Sequence, residues 1–458
     1  MREAILPKLD VLAQCVKQSI RMMRSLHSRL NETPLTEREW THYWVVEYAN
    51  DRGILLDAKF LAGALQCAAA CETQLWNRFR KITGLPVGCG ARAFKEWLSV
   101  QGVDTPSVSR EATSKLRRRA TGNVAEALEL WSAIMRNPLR QYQALTGHCS
   151  ADGRLRGLYT HDGGRHGMLK FPFFQTDSLS ACDGNSADEL HKHVSACDNG
   201  WLEKNIKSVP DILNGLLGTV FVPDEDKRFA MFSFRQLNQS VLHWLAQANF
   251  AACAEGEDFP PEAPLVAEYF PTRDYTEADS AICRLYLDVE NAVRSCLTAR
   301  CAIEIGSLSF HAGKKRLTIT LPSGRALVYY EPFIRIDPAG FSAVRAMGLN
   351  SDDKWDYRIL SGKTIVRDIV RAVARDVLLY KMVCAEANGD CISLPFRDGL
   401  LIGIDAGQNL CAAAHSLRRL PKWAEGLSAN IDGYLCTDYF KRMARGHSRK
   451  QGGIRHAQ

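Results

Sequence analysis

The feature that most constrains the fold is a strand running straight into a helix, between Leu216 and Ala246: LLGTVFVPDEDKRFAMFSFRQLNQSVLHWLA. Residues 228–234 alternate as a strand does. Residues 236–248 place apolar side chains at helical spacing, Val241, Leu242 and Leu245 among them. Two hairpins extend the pattern. Residues 317–330, LTITLPSGRALVYY, are two β-rich runs around Pro322-Ser323-Gly324, and CISLPFRDGLLIGID turns at Asp398-Gly399. A long helix is predicted over 363–387. Helices mixed with antiparallel hairpins imply an α+β fold.

The rest of the chain is mainly helical before residue 150 and mixed after it. Residues 1–35 read as one amphipathic helix, with Leu12, Val16, Ile20 and Met23 on one side and Pro34 ending it. Asn50-Asp51-Arg52-Gly53 reads as a turn, and Asp57 can cap the helix that follows. Residues 58–147 read as helices broken at Thr83–Gly90 and Gly102–Pro106. From Gly153 the text GRLRGLYTHDGGRHGMLKFPFF reads as strands and loops, and residues 183–214 read as polar and irregular. There is no internal repeat and no low-complexity tract.

With 458 residues there is room for two or three packed units, and 46% hydrophobic against 24% charged residues excludes a disordered chain. A net charge of +7 permits a polyanionic partner without requiring one. No apolar run has membrane-spanning length and MREAILPKLD lacks a signal-peptide core, so no membrane partner and a cytoplasmic location are expected. The 15 cysteines are scattered and form no C-x-x-C pair, which suits reduced thiols.

Several segments, in order, resemble the family A (polymerase I-like) DNA polymerases of phage and prophage type. WVVEYANDRGILLD resembles the opening of their thumb region. GRLRGLYTHDGGRHG resembles the stretch that holds the primer–template backbone, with Arg165 at the family's arginine. LPSGRALVYY matches a Leu-Pro-Ser-Gly-Arg hairpin, SGKTIVRDIVRAVARDVL resembles the helix after it, and PKWAEGL…DGYLCTDYFK resembles the family's close. The resemblance implies four regions: residues 1–40, a remnant of the last exonuclease-like helix; 41–150, a helical thumb; 151–445, a palm with its fingers reduced to an acidic 247–281; and 446–458, a frayed basic tail. It also implies one antiparallel palm sheet carrying the strands near 228–234, 317–330 and 391–405.

Departures from the family fall on its chemistry. In motif A the helix survives as Val241, Leu242, Trp244, Leu245 and Ala246, and Gln236 is retained. The catalytic aspartate position is Ser233, and the glutamate position is Asn238. In motif C the His-Asp-Glu turn reads Arg397-Asp398-Gly399. Asp398 therefore has two readings, a remaining metal ligand or simply a favoured Asp-Gly turn residue. Segment 247–281 has no lysine and one arginine, Arg273, where the family grips a triphosphate. Mg2+ is the family's cofactor. A serine hydroxyl cannot replace a bridging carboxylate, so retention of Mg2+ is not expected and nucleotidyl transfer is expected to be lost or crippled.

Basic residues carry the DNA-binding expectation. Lys363, Arg367, Arg371 and Arg375 recur every four residues on the long helix and suit phosphate oxygens; the alternative is a solvated face partnered by Asp368 and Asp376. Arg165, Arg325 and Gln236 complete the implied DNA-binding set, with Arg325 able instead to staple its turn. Lys115, Arg117, Arg118 and Arg119 form a basic run in the thumb-like region. Cys182, His191, His193 and Cys197 could in principle hold zinc, but their spacing matches no common finger and zinc is not expected.

Three functions are compatible with these readings. The first is a DNA-binding polymerase relative acting on primer–template or duplex DNA in phage replication or repair. The second is a non-catalytic subunit of an active polymerase or another replication protein. The third is a functional polymerase whose metal site is rearranged around acids such as Asp224 or Asp226.

Overall fold

The computed structural model describes residues 6–30, 35–161, 169–170, 184–234, 236–253, 277–336, 342–349, 354–396, 399–428 and 431–436. The chain divides into two units, Met1–Trp44 and Val45–Gln458. The expected thumb and palm regions thus fall almost wholly within one unit. In the first unit, helix α1 (Leu6–Leu30) leaves Leu12, Val16, Ile20 and Met23 exposed. Helix α2 (Glu37–Arg52) starts on a reciprocal cap. Thr36 Oγ1 accepts from the Glu39 amide at 3.2 Å, and Glu39 accepts from the Thr36 amide at 3.2 Å.

Asn50, Asp51 and Arg52, expected as a turn, form instead the last helical residues of α2 in the second unit, and Gly53 ends the helix, its amide donating to the Ala49 carbonyl at 3.0 Å. Asn50 exchanges two hydrogen bonds with the backbone of Tyr159, at 3.0 and 2.8 Å. Gly53 has φ +64°, and a Cβ there would stand 2.4 Å from the Leu155 carbonyl oxygen, so only glycine fits. Strand β1 (Ile54–Leu56) follows, and Asp57 accepts from the Phe60 amide at 2.9 Å as the cap of α3 (Ala58–Thr83). Helices α4 (Ala91–Val100), α5 (Arg110–Arg117), α6 (Gly122–Arg136) and α7 (Leu139–His148) complete the helical region, with the two predicted breaks and two further ones, after Arg117 and after Arg136. Its core is aromatic: Phe94 stacks on Trp131 at 4.6 Å, and Phe79 meets Phe94 at 5.2 Å.

Beyond the short strands β2 (Arg154–Leu155), β3 (Thr160–His161) and β4 (Leu169–Lys170), the structure corrects the sequence reading of 183–214 as irregular. Helices α8 (Gly184–Ala196), α9 (Asn199–Asn205) and α10 (Val209–Leu216) occupy it. Polar residues line their outer sides, while Val194, Leu202, Ile206, Val209, Leu213 and Leu216 are buried. Tertiary burial, not local propensity, decides this region.

Strands β5 (Phe221–Val222) and β6 (Lys227–Ser233) lead into α11 (Leu237–Cys253); after it come α12 (Glu277–Ala299) and a run of strands. These are β7 (Ile303–Ile305), β8 (Leu308–Ala312), β9 (Arg316–Thr320), β10 (Ala326–Ile336), β11 (Ser342–Leu349) and β12 (Trp355–Ile359). Helix α13 (Gly362–Ala387), strands β13 (Cys391–Phe396) and β14 (Gly399–Asp405), helix α14 (Leu410–Arg418) and strand β15 (Asp432–Cys436) close the fold. The α+β class holds, but the strands form two large antiparallel sheets instead of one. One has the order β13–β14–β6–β15, and the other runs β12–β11–β10–β9–β8–β7. Hairpin 317–330 belongs to the second sheet. Its inward residues Leu317, Ile319, Leu327 and Tyr329 continue the buried row of Leu308, Phe310 and Ala312, which joins it to β8 and not to β6.

Helix α13 is buried on most of its surface and contacts α11, α12, α14 and β13. Lys381 on it has no solvent exposure. Its ammonium donates to the Leu417 carbonyl at 2.6 Å and lies 5.0 Å from the Phe234 ring centre. Burial pushes this ammonium down to about 8 from 10.5. The unfolded chain therefore binds the more protons between these values. The penalty is complete below pH 8 and is relieved as pH rises toward 10.5. Lys381→Met should stabilise the protein at neutral pH by about 1–2 kcal/mol and remove that alkaline gain. Urea denaturation across pH 7–10 measures both effects; a less stable Met variant would contradict the assignment.

Candidate functional site

Two of the family acid positions, Ser233 of motif A and Gly399 of motif C, meet in one row of the β13–β14–β6–β15 sheet. Phe396 pairs with Gly399, Gly399 with Ser233, and Ser233 with Asp432. Strand β6 thus lies beside hairpin 391–405, as the motif order predicts. Ser233 is half-buried at the end of its strand. Asp398, like Arg397, lies outside the described residues. Gly399 is packed so closely that a Cβ would stand 2.5 Å from the Phe232 carbonyl oxygen. A glutamate there would require the strands to shift. Asp432 is a residue that the motif reading missed; only the register of β15 brings it to the row.

After Ser233 the chain turns through Phe234, which is buried, and Gln236, which is exposed with φ +59°. The Gln236 carbonyl accepts from the Ser240 amide at 2.8 Å and so starts α11. At the other end of β6, Asp224 is ion-paired with Arg154, and Lys227 bonds Asp405 at 2.6 Å. Asp226 is seven residues from Ser233, roughly 23 Å along a strand. Neither acid can stand in at the Ser233 row.

The hairpin Leu321–Arg325 is locked to α13. Asp376, 1% exposed, accepts from Ser323 Oγ at 2.6 Å, from Arg325 Nε at 2.9 Å and from Arg375 Nη1 at 3.1 Å. Arg325 also donates to the Ala372 carbonyl at 2.9 Å. Eight residues earlier on the helix, Asp368 accepts from the Tyr329 hydroxyl at 3.2 Å. Arg325, expected at the DNA, is therefore 8% exposed and holds hairpin to helix. Arg375 is likewise committed to Asp376, with its side chain 11% exposed. The outward part of the basic stripe is Lys363 and Arg367, both exposed, and the half-buried Arg371. Arg165 lies outside the described residues. Of the basic run in 115–119, Arg117 reaches Glu129 at 3.2 Å.

The histidines of the zinc expectation diverge. His191 stacks on Phe60 at 4.2 Å, with Nε2 3.9 Å from Asp57. His193 bonds Asp198 through Nδ1 at 2.9 Å and stacks on Trp201. Cys197 lies beside Cys67, whose thiol burial pushes up to about 12. Cys182 lies outside the described residues. Among the described residues no group of three His, Cys, Asp or Glu side chains could hold a metal.

Arg52 and Lys381 are the other charged groups that motif reading missed. Arg52 grips Glu386 with two bonds of 2.8 Å and reaches the Ile392 carbonyl at 3.2 Å, tying the end of α2 to β13. For Lys381 the available signal was a lone cation among the apolar neighbours Leu378, Leu379 and Met382.

Removing the Asp376 charge leaves two guanidinium groups buried without their carboxylate. Asp376→Ala should cost about 3–5 kcal/mol in chemical denaturation. A loss below about 1 kcal/mol would mean that the ionic cluster does not hold the hairpin to the helix.

No family model matches the sequence. The chain is 24% identical over 480 aligned residues to the DNA polymerase of Bacillus phage SP02, covering 93% of this chain and 74% of that protein. Its fold is similar to the polymerase domain of Pol1 from M. smegmatis, a structure in complex with DNA primer-template and dNTP. The TM-score is 0.50 at 11% identity, over 93% of this chain and 75% of that one. No described helix is long and apolar enough to cross a membrane. With its motifs in family order along an α+β frame, the chain is a homologue of the phage-type, family A-like DNA polymerases.

Proposed function

We propose that this protein binds primer–template or duplex DNA during replication or repair of a phage or prophage genome, in the host cytoplasm, with nucleotidyl transfer lost. The observation that carries the loss is the row Gly399–Ser233. A two-metal centre needs carboxylates bridging both ions, and this row offers a hydroxyl at the motif A aspartate position and a hydrogen at the motif C glutamate position, which leaves Asp398 as the one family acid kept in the sequence. These residues do not fit a pair of Mg2+ ions. The acidic sequence 247–281 adds to this reading, since it has no lysine to neutralise a triphosphate. The helical region 58–147 would serve as the thumb, and the outward side of α13 as the phosphate contact.

One observation favours a second reading, that of a retained enzyme. Asp432 is in register with Ser233, so a carboxylate residue has a place in the row from a third strand. Primer extension separates the two. Under the first reading, pure protein with Mg2+ or Mn2+ extends no primer, and Ser233→Asp does not restore extension. Template-directed extension abolished by Asp432→Asn would establish the second.

DNA binding has its own test. Affinity for a primer–template duplex should fall steeply with salt because phosphate neutralisation releases counterions. Arg367→Ala and Arg371→Ala should each weaken binding alike across sequences and lower the salt slope by about one unit at most. Negligible binding at low salt would replace this reading with that of a non-catalytic subunit partnering an active polymerase.

A further inference from the structure

The β12 end of the six-stranded sheet has one face turned to the core and one turned outward. Val344 and Ala346 on β11 are buried. Their neighbours Arg345 and Met347 take the other side, and the register extends that side across three strands. Phe333 pairs with Arg345 and Arg345 with Ile359; Tyr330 pairs with Met347 and Met347 with Tyr357. Directly opposed residues of antiparallel strands share a face. Trp355, two residues before Tyr357, and Arg335, two after Phe333, belong to it as well. Ring contacts bind the surface together: Tyr330 meets Trp355 at 6.5 Å, and Phe333 meets Tyr357 edge-on at 5.1 Å.

Large apolar side chains are left in water here. Trp355 is 60% exposed, Ile359 56%, Tyr330 46% and Tyr357 40%. A contiguous apolar patch on an edge strand is a liability unless it binds something. Its charge indicates what. Arg335 and Arg345 have no ion pair among the described residues, and Arg345 Nε is buried without a hydrogen-bond partner. The Glu331 carboxylate is occupied by the Tyr357 hydroxyl at 2.8 Å. Asp356 takes the alternate position on β12, opposite Gly348. A second copy of the chain docked here about a twofold axis would bring Arg335 and Arg345 close to their own counterparts, which disfavours self-association.

We propose that this face binds single-stranded nucleic acid. Bases stack on Trp355 and Tyr357, which stand two residues apart, about 7 Å along the strand, and phosphates meet Arg335 and Arg345. The ligand is single-stranded and the surface lies on a different sheet from Ser233, so the inference goes beyond duplex binding and stands or falls separately from it.

The test uses the full chain and fluorescence anisotropy with two probes: a labelled oligo(dT) of about 16 nucleotides and a blunt duplex of the same length. The double substitution Trp355→Ala and Tyr357→Ala should weaken oligo(dT) binding by about tenfold or more, with duplex affinity changed less than about twofold. Trp355→Phe with Tyr357→Phe should keep most of the affinity, since a ring remains. Both residues are exposed, and an unchanged thermal midpoint in the Phe pair controls for folding. Oligo(dT) binding that is absent in the wild type, or indifferent to the Ala pair, overturns the proposal. So does a wild-type dimer, by sedimentation, that the Ala pair turns to monomer, because the face would then be a protein interface. Oligo(dT) binding that survives while duplex binding is absent would sink only the reading of the preceding subsection.

Discussion

Asp376 is the point from which this structure is most economically understood. A carboxylate with 1% exposure is costly to bury unless its oxygens are met by donors and charge, and here Ser323, Arg325 and Arg375 meet them. That requirement joins three pieces of chain: the Leu-Pro-Ser-Gly-Arg turn, the middle of α13, and through the turn the β9–β10 hairpin. Asp368, two helical turns earlier, repeats the arrangement through Tyr329. At the far end of the helix Glu386 receives Arg52 and the Ile392 amide, fixing β13 and the end of α2. Three acids along one helix therefore set where both sheets stand. The row that contains Ser233 is held in place by a framework that does not itself require a working metal site.

That separation explains how the sheet can keep its shape while its chemistry departs from the family's. Gly399 pairs with Ser233 at a distance that leaves no room for a side chain, so the strands pack tightly at the row where two acids would repel each other. Beneath the turn, Phe234 is covered by α13, and Lys381 lies against its ring. A fully buried ammonium with one carbonyl acceptor costs stability, and the position tolerates it because the surrounding core is large.

Much of this was legible in sequence, and the reasons are local. The hairpin turns, the Asp57 cap and the breaks after α3 and α4 are set by residues within a few positions of each other, so their chemistry can be read in place. Strand β6 beside hairpin 391–405 was legible through the family's motif order. What could not be read depends on distant partners. Helices α8 to α10 look polar until Val194 and Leu202 are seen to be buried in the core. The second sheet depends on β7, β8, β11 and β12, whose short runs resemble loop text in isolation. Arg325 and Arg375 look like phosphate ligands by spacing, and only the position of Asp376 between them shows their charge to be spent. The two histidines spaced two apart on α8 look convergent, but neighbouring Phe60 and Trp201 draw their rings to different sides.

The same accounting changes what a net charge of +7 means. Several motif arginines are spent on carboxylates: Arg52 on Glu386, Arg154 on Asp224, Arg325 and Arg375 on Asp376, and, at the surface, Arg156 on Asp152. Arg52 and Arg156 grip their carboxylates with two nitrogens each, which gives geometry more than field. Other cations stay exposed in several places, Lys115, Arg118 and Arg119 in the helical region and Lys314 and Lys315 before β9 among them. Arg367 and Arg371 lie on α13, and Arg335 and Arg345 lie on the aromatic face of the second sheet. Where a basic site also carries exposed rings, stacking adds to what charge supplies to a polyanion. The aromatic face offers both.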